Sequence, residues 1–219
     1  MATDEAALLA RTRRAERLRG IYVIVNEDPR VVEIGRAVLD AGVKVLQYRA
    51  KSGVNIGHLQ LLRQATLLHG ALLIVNDDWR AALKFQCDGV HLGPDDEGFA
   101  AVPPVRKALA DRLIGLSCGT VDEVRYANIE EVDYVGIGAV YATASKKDAG
   151  APIGIDGLRA IAAESWCPAA AIGGIGLEQI DAVRATGVSM AAVISAVANA
   201  PDPGVAARAL VERWHAGDA

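Results

Sequence analysis

AIGGIGLEQIDAVRATGVSMAAVISA, residues Ala171 to Ala196, decides how the chain is read. An apolar run stops at Gly173-Gly174, a helical stretch follows, and a second apolar run ends at Ile194-Ser195. Two strand ends then fall side by side, each followed by a turn whose amides can approach an anion. In a parallel αβ barrel they are the seventh and eighth strands, whose loops commonly hold phosphate. A tight turn would carry the same glycines, so the remainder of the chain has to separate cradle from corner.

Working outward, the same alternation fills the chain from Ile21 onward. Strands are expected at Ile21–Val25, Val43–Tyr48, Ala71–Val75, Gly89–Leu92, Leu113–Ser117, Tyr134–Gly138, Ala169–Ile172 and Val188–Ile194. Helical stretches such as Arg30–Asp40, Gly57–His69, Trp79–Phe85, Val121–Asn128, Asp156–Ala163 and Leu177–Ala185 separate them. Strands fed by helical crossovers are parallel, and runs apolar on both faces must be covered on both. Eight such units close into a (β/α)8 TIM barrel, here spanning residues 20–219 behind a helical extension over residues 1–19. An open doubly wound sheet would carry a glycine-rich fingerprint after its first strand, where this chain has NEDPR. The segment Asp4–Arg19 reads as an amphipathic helix that packs outside the core or against a partner subunit of a homo-oligomer.

With 23 basic against 27 acidic residues, the net charge of -4 supplies no field for nonspecific nucleic-acid binding. Three widely spaced cysteines, Cys87, Cys118 and Cys167, fit reduced thiols in small core positions better than a disulfide framework or zinc site. No run is long and apolar enough to span a membrane, and the basic residues near the start precede no apolar segment, so the expected location is the cytoplasm.

Chemistry in such a barrel belongs at the carboxyl ends of the strands. The second ends QYRAK, and alternation puts Gln47, Arg49 and Lys51 on one face. An arginine fork beside a mobile lysine charge suits an anion larger than one phosphate; a solvated loop would also tolerate both. The third ends in Asn76-Asp77 and the fourth in HLGPDD, with Asp96 beyond Gly93-Pro94. Hard oxygens on adjacent loops are the usual way to hold Mg²⁺, although Asp78 and Asp95 or Asp96 could instead cap the following helices. His91 reads as hydrogen-bonded structure or as a chemical group. Ser117 offers a hydroxyl to the mouth with no base recognisable beside it, so it reads as a binding group. The long connection Ala139–Ile155 carries Thr143, Ser145 and Lys146, two hydroxyls and a cation suited to phosphate oxygens.

Taken together, GVKVLQYRAK, LLIVNDDW, DGVHLGPDD, IGLSCGT, DYVGIGAVYATASKKDAGAPIGIDGL, AIGGI and AAVIS resemble the thiamine-phosphate synthase family in order and spacing, from Gly20 to Pro203. The resemblance implies a barrel that joins 4-amino-5-hydroxymethyl-2-methylpyrimidine diphosphate to 4-methyl-5-(2-hydroxyethyl)thiazole phosphate. By the same resemblance, Gln47, Arg49, Lys51, Asn76, Ser117 and Lys146 contact the pyrimidine diphosphate, with Arg49, Lys51 and Lys146 assisting its departure. Asp77 and Asp96 match the Mg²⁺ ligands, and Thr143, Ser145, Gly174, Ile194 and Ser195 match the thiazole-phosphate site. Pro94 stands where the family commonly has Gln, Ala139 where it has Pro, and Ser145 where Thr is usual. A thiazole tautomerase-like enzyme shares the fold and the thiazole-phosphate site but needs no diphosphate set. A non-catalytic barrel that binds a phosphorylated ligand is the rival from another class.

Overall fold

The computed structural model describes residues 2–93, 102–130, 132–145 and 150–217. Eight parallel strands close into a barrel in chain order, β1 through β8. They are β1 (Gly20–Asn26), β2 (Val45–Arg49), β3 (Leu72–Asn76), β4 (Gly89–Leu92), β5 (Leu113–Cys118), β6 (Tyr134–Ile137), β7 (Ala169–Ile172) and β8 (Met190–Val193). All eight expected strands are present; β2 and β8 each start two residues later than the apolar run suggests.

Period-two alternation sorts each strand into two layers. Tyr22, Ile24, Val45, Leu72, Ile74, Leu113, Tyr134, Met190 and Ala192 fill the barrel, whereas their neighbours Val23, Leu46, Leu73, Val90, Ile114, Val135 and Ala191 pack outward under the helices. Both layers are apolar, which is why the strands read as continuous runs. Space inside is made by glycine: a Cβ on Gly115 would lie 2.1 Å from the Tyr134 ring. No larger residue could face that tyrosine without displacing it.

Helices α2 (Val31–Asp40), α3 (Ile56–Leu68), α4 (Trp79–Lys84), α6 (Val121–Ile129), α7 (Gly154–Ala162) and α8 (Ile180–Arg184) form the outer ring at the expected places, with α8 three residues shorter at its start. Asp78 accepts from the Ala81 amide and Thr120 forms a capping box with Glu123, each cap being worth about 1 kcal/mol. Asp78 is thus a cap, as its alternative reading had it. Two further helices complete the ring without a periodic signal strong enough to announce them: α5 (Val102–Ala108) and α10 (Pro203–His215), the latter started by Asp202 and Pro203. The short α9 (Ser195–Ala198) follows β8.

Helix α1 (Ala2–Ala15) lies across the amino ends of the strands. Its Arg14 pairs with Asp88, which also pairs with Arg63 and accepts from the Leu73 amide. Arg11 pairs with Asp133, which is likewise held by Arg106 and the Ile114 amide. Leu18, just beyond α1, joins the interior cluster and closes that end. Cys87 and Cys118 are buried and Cys167 half-buried; burial pushes the first two thiols up to about 12, so neither is a nucleophile.

Candidate active site

The carboxyl ends of the strands form a mouth with two differently built halves. On the β7–β8 side lies a cavity of about 330 Å³ whose lining includes Ser117, Thr143, Ser145, Gly174, Ile194 and Ser195. Gly173 and Gly174 have φ of 105° and 64°, a left-handed pair that turns the chain sharply after β7. A Cβ on Gly174 would come within 2.6 Å of the Ala142 carbonyl, so only glycine lets the long connection close over the turn. That connection is pinned there: Val140 N donates to Ile172 O, and Tyr141 N to Gly173 O. Thr143 Oγ1 accepts from the Ser145 amide at 3.1 Å, which presents both hydroxyl-bearing residues to the cavity. A neighbouring recess of about 390 Å³ shares Ser145, Ile194 and Ser195 and adds Asn26 and Asn199.

The β1–β3 side is ionic. Arg49 stands in register with Asn26 and donates to its Oδ1 at 3.0 Å. The Lys51 ammonium lies 3.2 Å from Asp77 Oδ2, just past Asn76. Asp77 adopts φ 65°, a left-handed conformation that costs an L-residue about 1–2 kcal/mol and that aspartate tolerates better than most. Its amide donates to His91 O, so the strained residue is held by the neighbouring strand. A hard carboxylate that already draws a cation, beside an amide oxygen at Asn76, suits Mg²⁺, which takes one or two carboxylates and substrate oxygens. Among the described residues no group of three His, Cys, Asp or Glu gathers at one point. Asp96, Pro94 and Lys146 lie outside the described residues.

Between the halves a polar chain crosses the barrel interior. Gln47 Nε2 donates to Tyr22 Oη at 2.6 Å, Tyr22 and Tyr134 share a bond of 2.9 Å, and Tyr134 Oη meets His91 Nδ1 at 3.0 Å. His91 Nε2 then meets Ser117 Oγ at 3.0 Å. Burial raises both phenols well above the usual tyrosine range, so they stay protonated. One proton order satisfies every link: each hydroxyl donates onward, His91 accepts at Nδ1 and donates from Nε2, and the hydroxyl hydrogen of Ser117 is left for a ligand.

This chain corrects one expectation. A base does stand beside Ser117, because His91, distant in sequence, reaches it across β4 and β5. Its other nitrogen meets the hydroxyl of Tyr134, a phenol that burial keeps protonated. Gln47 is 2% exposed, facing inward like Arg49 but a full layer deeper, beneath the mouth. Sequence reading passed over Tyr22, Asn26 and Tyr134. Asn26 was findable, since it falls in step with Tyr22 and Ile24 on the inward face of β1.

Comparison with known proteins fits this geometry. The model of the thiamine monophosphate synthase family matches residues 21–197. The chain belongs to that family. A thiamine-phosphate synthase of Moorella thermoacetica is 41% identical over 187 residues, covering 83% of this chain and 87% of its own length. The thiamine biosynthesis bifunctional protein ThiM/ThiE of Symbiobacterium thermophilum is 44% identical over 204 residues; the match takes in 90% of this chain but only 41% of that protein. Among solved structures, the thiamine phosphate pyrophosphorylase of Pyrococcus furiosus superposes with a TM-score of 0.81 at 33% identity, over 91% of this chain and 97% of that one. Among the described residues no helix is long and apolar enough to cross a membrane.

Proposed function

We propose that this chain is a thiamine-phosphate synthase acting on 4-amino-5-hydroxymethyl-2-methylpyrimidine diphosphate and 4-methyl-5-(2-hydroxyethyl)thiazole phosphate in the cytoplasm. The observation that carries the reading is the division of the mouth. One half offers Arg49, Lys51 and Asp77, and the other a glycine turn with hydroxyls at Thr143, Ser145 and Ser195. Among the described residues no cation lines the β7–β8 cavity, whereas the β1–β3 rim offers Arg49 and Lys51 to the more highly charged diphosphate. A monophosphate suits the backbone and hydroxyl groups of the cradle.

In the reaction the bond between the pyrimidine methylene carbon and the diphosphate oxygen breaks, and its electron pair leaves with the diphosphate. The aminopyrimidine stabilises the resulting methylene cation, and the thiazole nitrogen donates its lone pair to form the new carbon–nitrogen bond. Arg49, Lys51 and Lys146 stabilise the charge that develops on the leaving group. Asp77 and Asp96 would hold Mg²⁺, which neutralises diphosphate charge when bound. Gln47, Asn76 and Ser117 orient the pyrimidine, Gln47 and Ser117 from the two ends of the buried hydrogen-bond chain. Gly174, Ile194 and Ser195 hold the thiazole phosphate so that its nitrogen faces the cation before water can reach it. No protein nucleophile enters, in keeping with the protonated phenol behind His91.

Mixing the purified protein with both phosphorylated substrates and Mg²⁺ tests the reading. Pyrophosphate and thiamine phosphate should appear in equal amounts. A folded protein that releases no pyrophosphate would refute it.

A further inference from the structure

Just outside the ionic half of the mouth sits a cluster of titratable side chains that the coupling chemistry does not use. Tyr48 points outward from β2, Glu27 follows β1, and His58 lies in the first turn of α3. Tyr48 Oη donates to Glu27 Oε2 at 2.5 Å, and His58 Nδ1 meets Glu27 Oε1 at 2.8 Å. The Asn55 amide donates to Tyr48 Oη at 3.0 Å, and Asn55 Oδ1 caps α3 by accepting from His58 N. The Tyr48 ring is fully buried, and burial together with the Glu27 carboxylate keeps its hydroxyl protonated, so it can donate to Glu27 while accepting from Asn55.

These bonds bracket one loop. Residues 50–55 join β2 to α3 and carry Lys51. Tyr48 precedes the loop, Asn55 and His58 end it, and all three are tied directly or through one bond to the carboxylate of Glu27. The Glu27 backbone adds a further tie, its amide donating to Arg49 O at 2.8 Å, while the adjacent Asn26 receives the Arg49 guanidinium. We propose that Glu27 is a positioning residue for the diphosphate half of the site, fixing the loop that carries Lys51 and the strand end that carries Arg49. Glu27 and His58 are each about one-quarter exposed at the rim, 26% and 27%, and so outside the core packing that holds the barrel together. A carboxylate that accepts from two side chains across a loop removes freedom the lysine would otherwise lose on binding its anion.

The inference rests on the reading of Arg49 and Lys51 as diphosphate-binding groups, and the test separates the two. In the full-length protein without ligand, amide hydrogen exchange across residues 50–55 should quicken in Glu27→Ala while the strands stay protected. In steady-state assays Glu27→Ala should raise KM for the pyrimidine diphosphate about tenfold and leave KM for the thiazole phosphate within about twofold, the size expected for losing charge-assisted bonds at a partly exposed site. Glu27→Gln, which can still accept from Tyr48, should recover most of the loss. Unchanged exchange, or equal rises in both KM values with a fall in thermal stability, would overturn the positioning role. A wild-type protein that makes no pyrophosphate would remove the synthase reading, and the exchange comparison alone would then decide whether Glu27 orders the loop.

Discussion

The two ends of this barrel use the same kinds of charged side chain in opposite ways. At the amino end Asp88 and Asp133, 6% and 7% exposed, are each met by two arginines and a backbone amide. At the carboxyl end Lys51 and Arg49 are each met, among the described residues, by a single side chain, and the lysine is more than half exposed. Charges surrounded by internal partners hold the fold; charges with donors still facing the mouth are available to a ligand. An ion pair is informative about function through the bonding capacity it leaves over, more than through its presence.

Breaking the closed end should show the largest effect. Asp133→Ala leaves Arg11 and Arg106 without their shared carboxylate, and removing one partner of a buried pair costs about 3–5 kcal/mol. Chemical denaturation should show that loss, while the fraction that stays folded keeps wild-type KM values. Lys51→Ala is the mirror image. Turnover should fall about 10²–10³-fold, as for other groups that stabilise developing charge, with the denaturation midpoint unchanged. Asp77→Asn, which removes the charge but keeps a residue that tolerates the left-handed backbone, should follow the same pattern. If Asp133→Ala lost substrate affinity, or Lys51→Ala lost stability, the division between the ends would be wrong.

Within the mouth the contrast repeats at smaller scale. Ser195→Ala removes one hydroxyl from the glycine cradle, so KM for the thiazole phosphate should rise about tenfold, with KM for the pyrimidine diphosphate unaffected. Measuring both constants in this variant and in Lys51→Ala would show whether the halves are separable. A rise in both constants from Ser195→Ala would merge them into a single anion site.

How much of this was readable beforehand follows the same geography. Every barrel strand announced itself, because a strand covered on both faces must be apolar throughout, and the mouth residues follow those runs directly in sequence. The amino end was silent. Asp88 and Asp133 look like ordinary loop acids before an apolar run, and the two arginines that seal Asp88 lie 25 and 74 residues away. The same holds for the Glu27, Tyr48 and His58 cluster and for Tyr22 with Tyr134, whose members are joined only by closure of the barrel. Periodicity reports which face a residue takes, whereas a polar network depends on which strands become neighbours.

His69 gives the smallest effect and the cleanest check on what exposure does to a charge at the amino end. It caps the carboxyl end of α3, where one ring nitrogen meets Ala65 O and the other Asp40 Oδ1, both at 2.8 Å. Only the imidazolium can donate both bonds; the neutral ring has one N–H and must give one up. The Ala65 carbonyl, then Asp40, therefore raises the histidine's pKa, and the negative end of the helix dipole acts in the same sense. A raised folded-state value means the contribution is fully present below the unfolded histidine's pKa of about 6.5 and is lost as pH climbs through the folded one. Comparing Tm of the wild type and His69→Ala at pH 5.5 and pH 8.5 should show a gap at the lower pH that closes at the higher. Solvent screening of so exposed a pair keeps that gap to about 1 °C. A gap as large as that of Asp133→Ala would mean that burial is not what separates a fold-holding charge from a decorative one. A gap that widened with pH would mean that the neutral ring is the bound form.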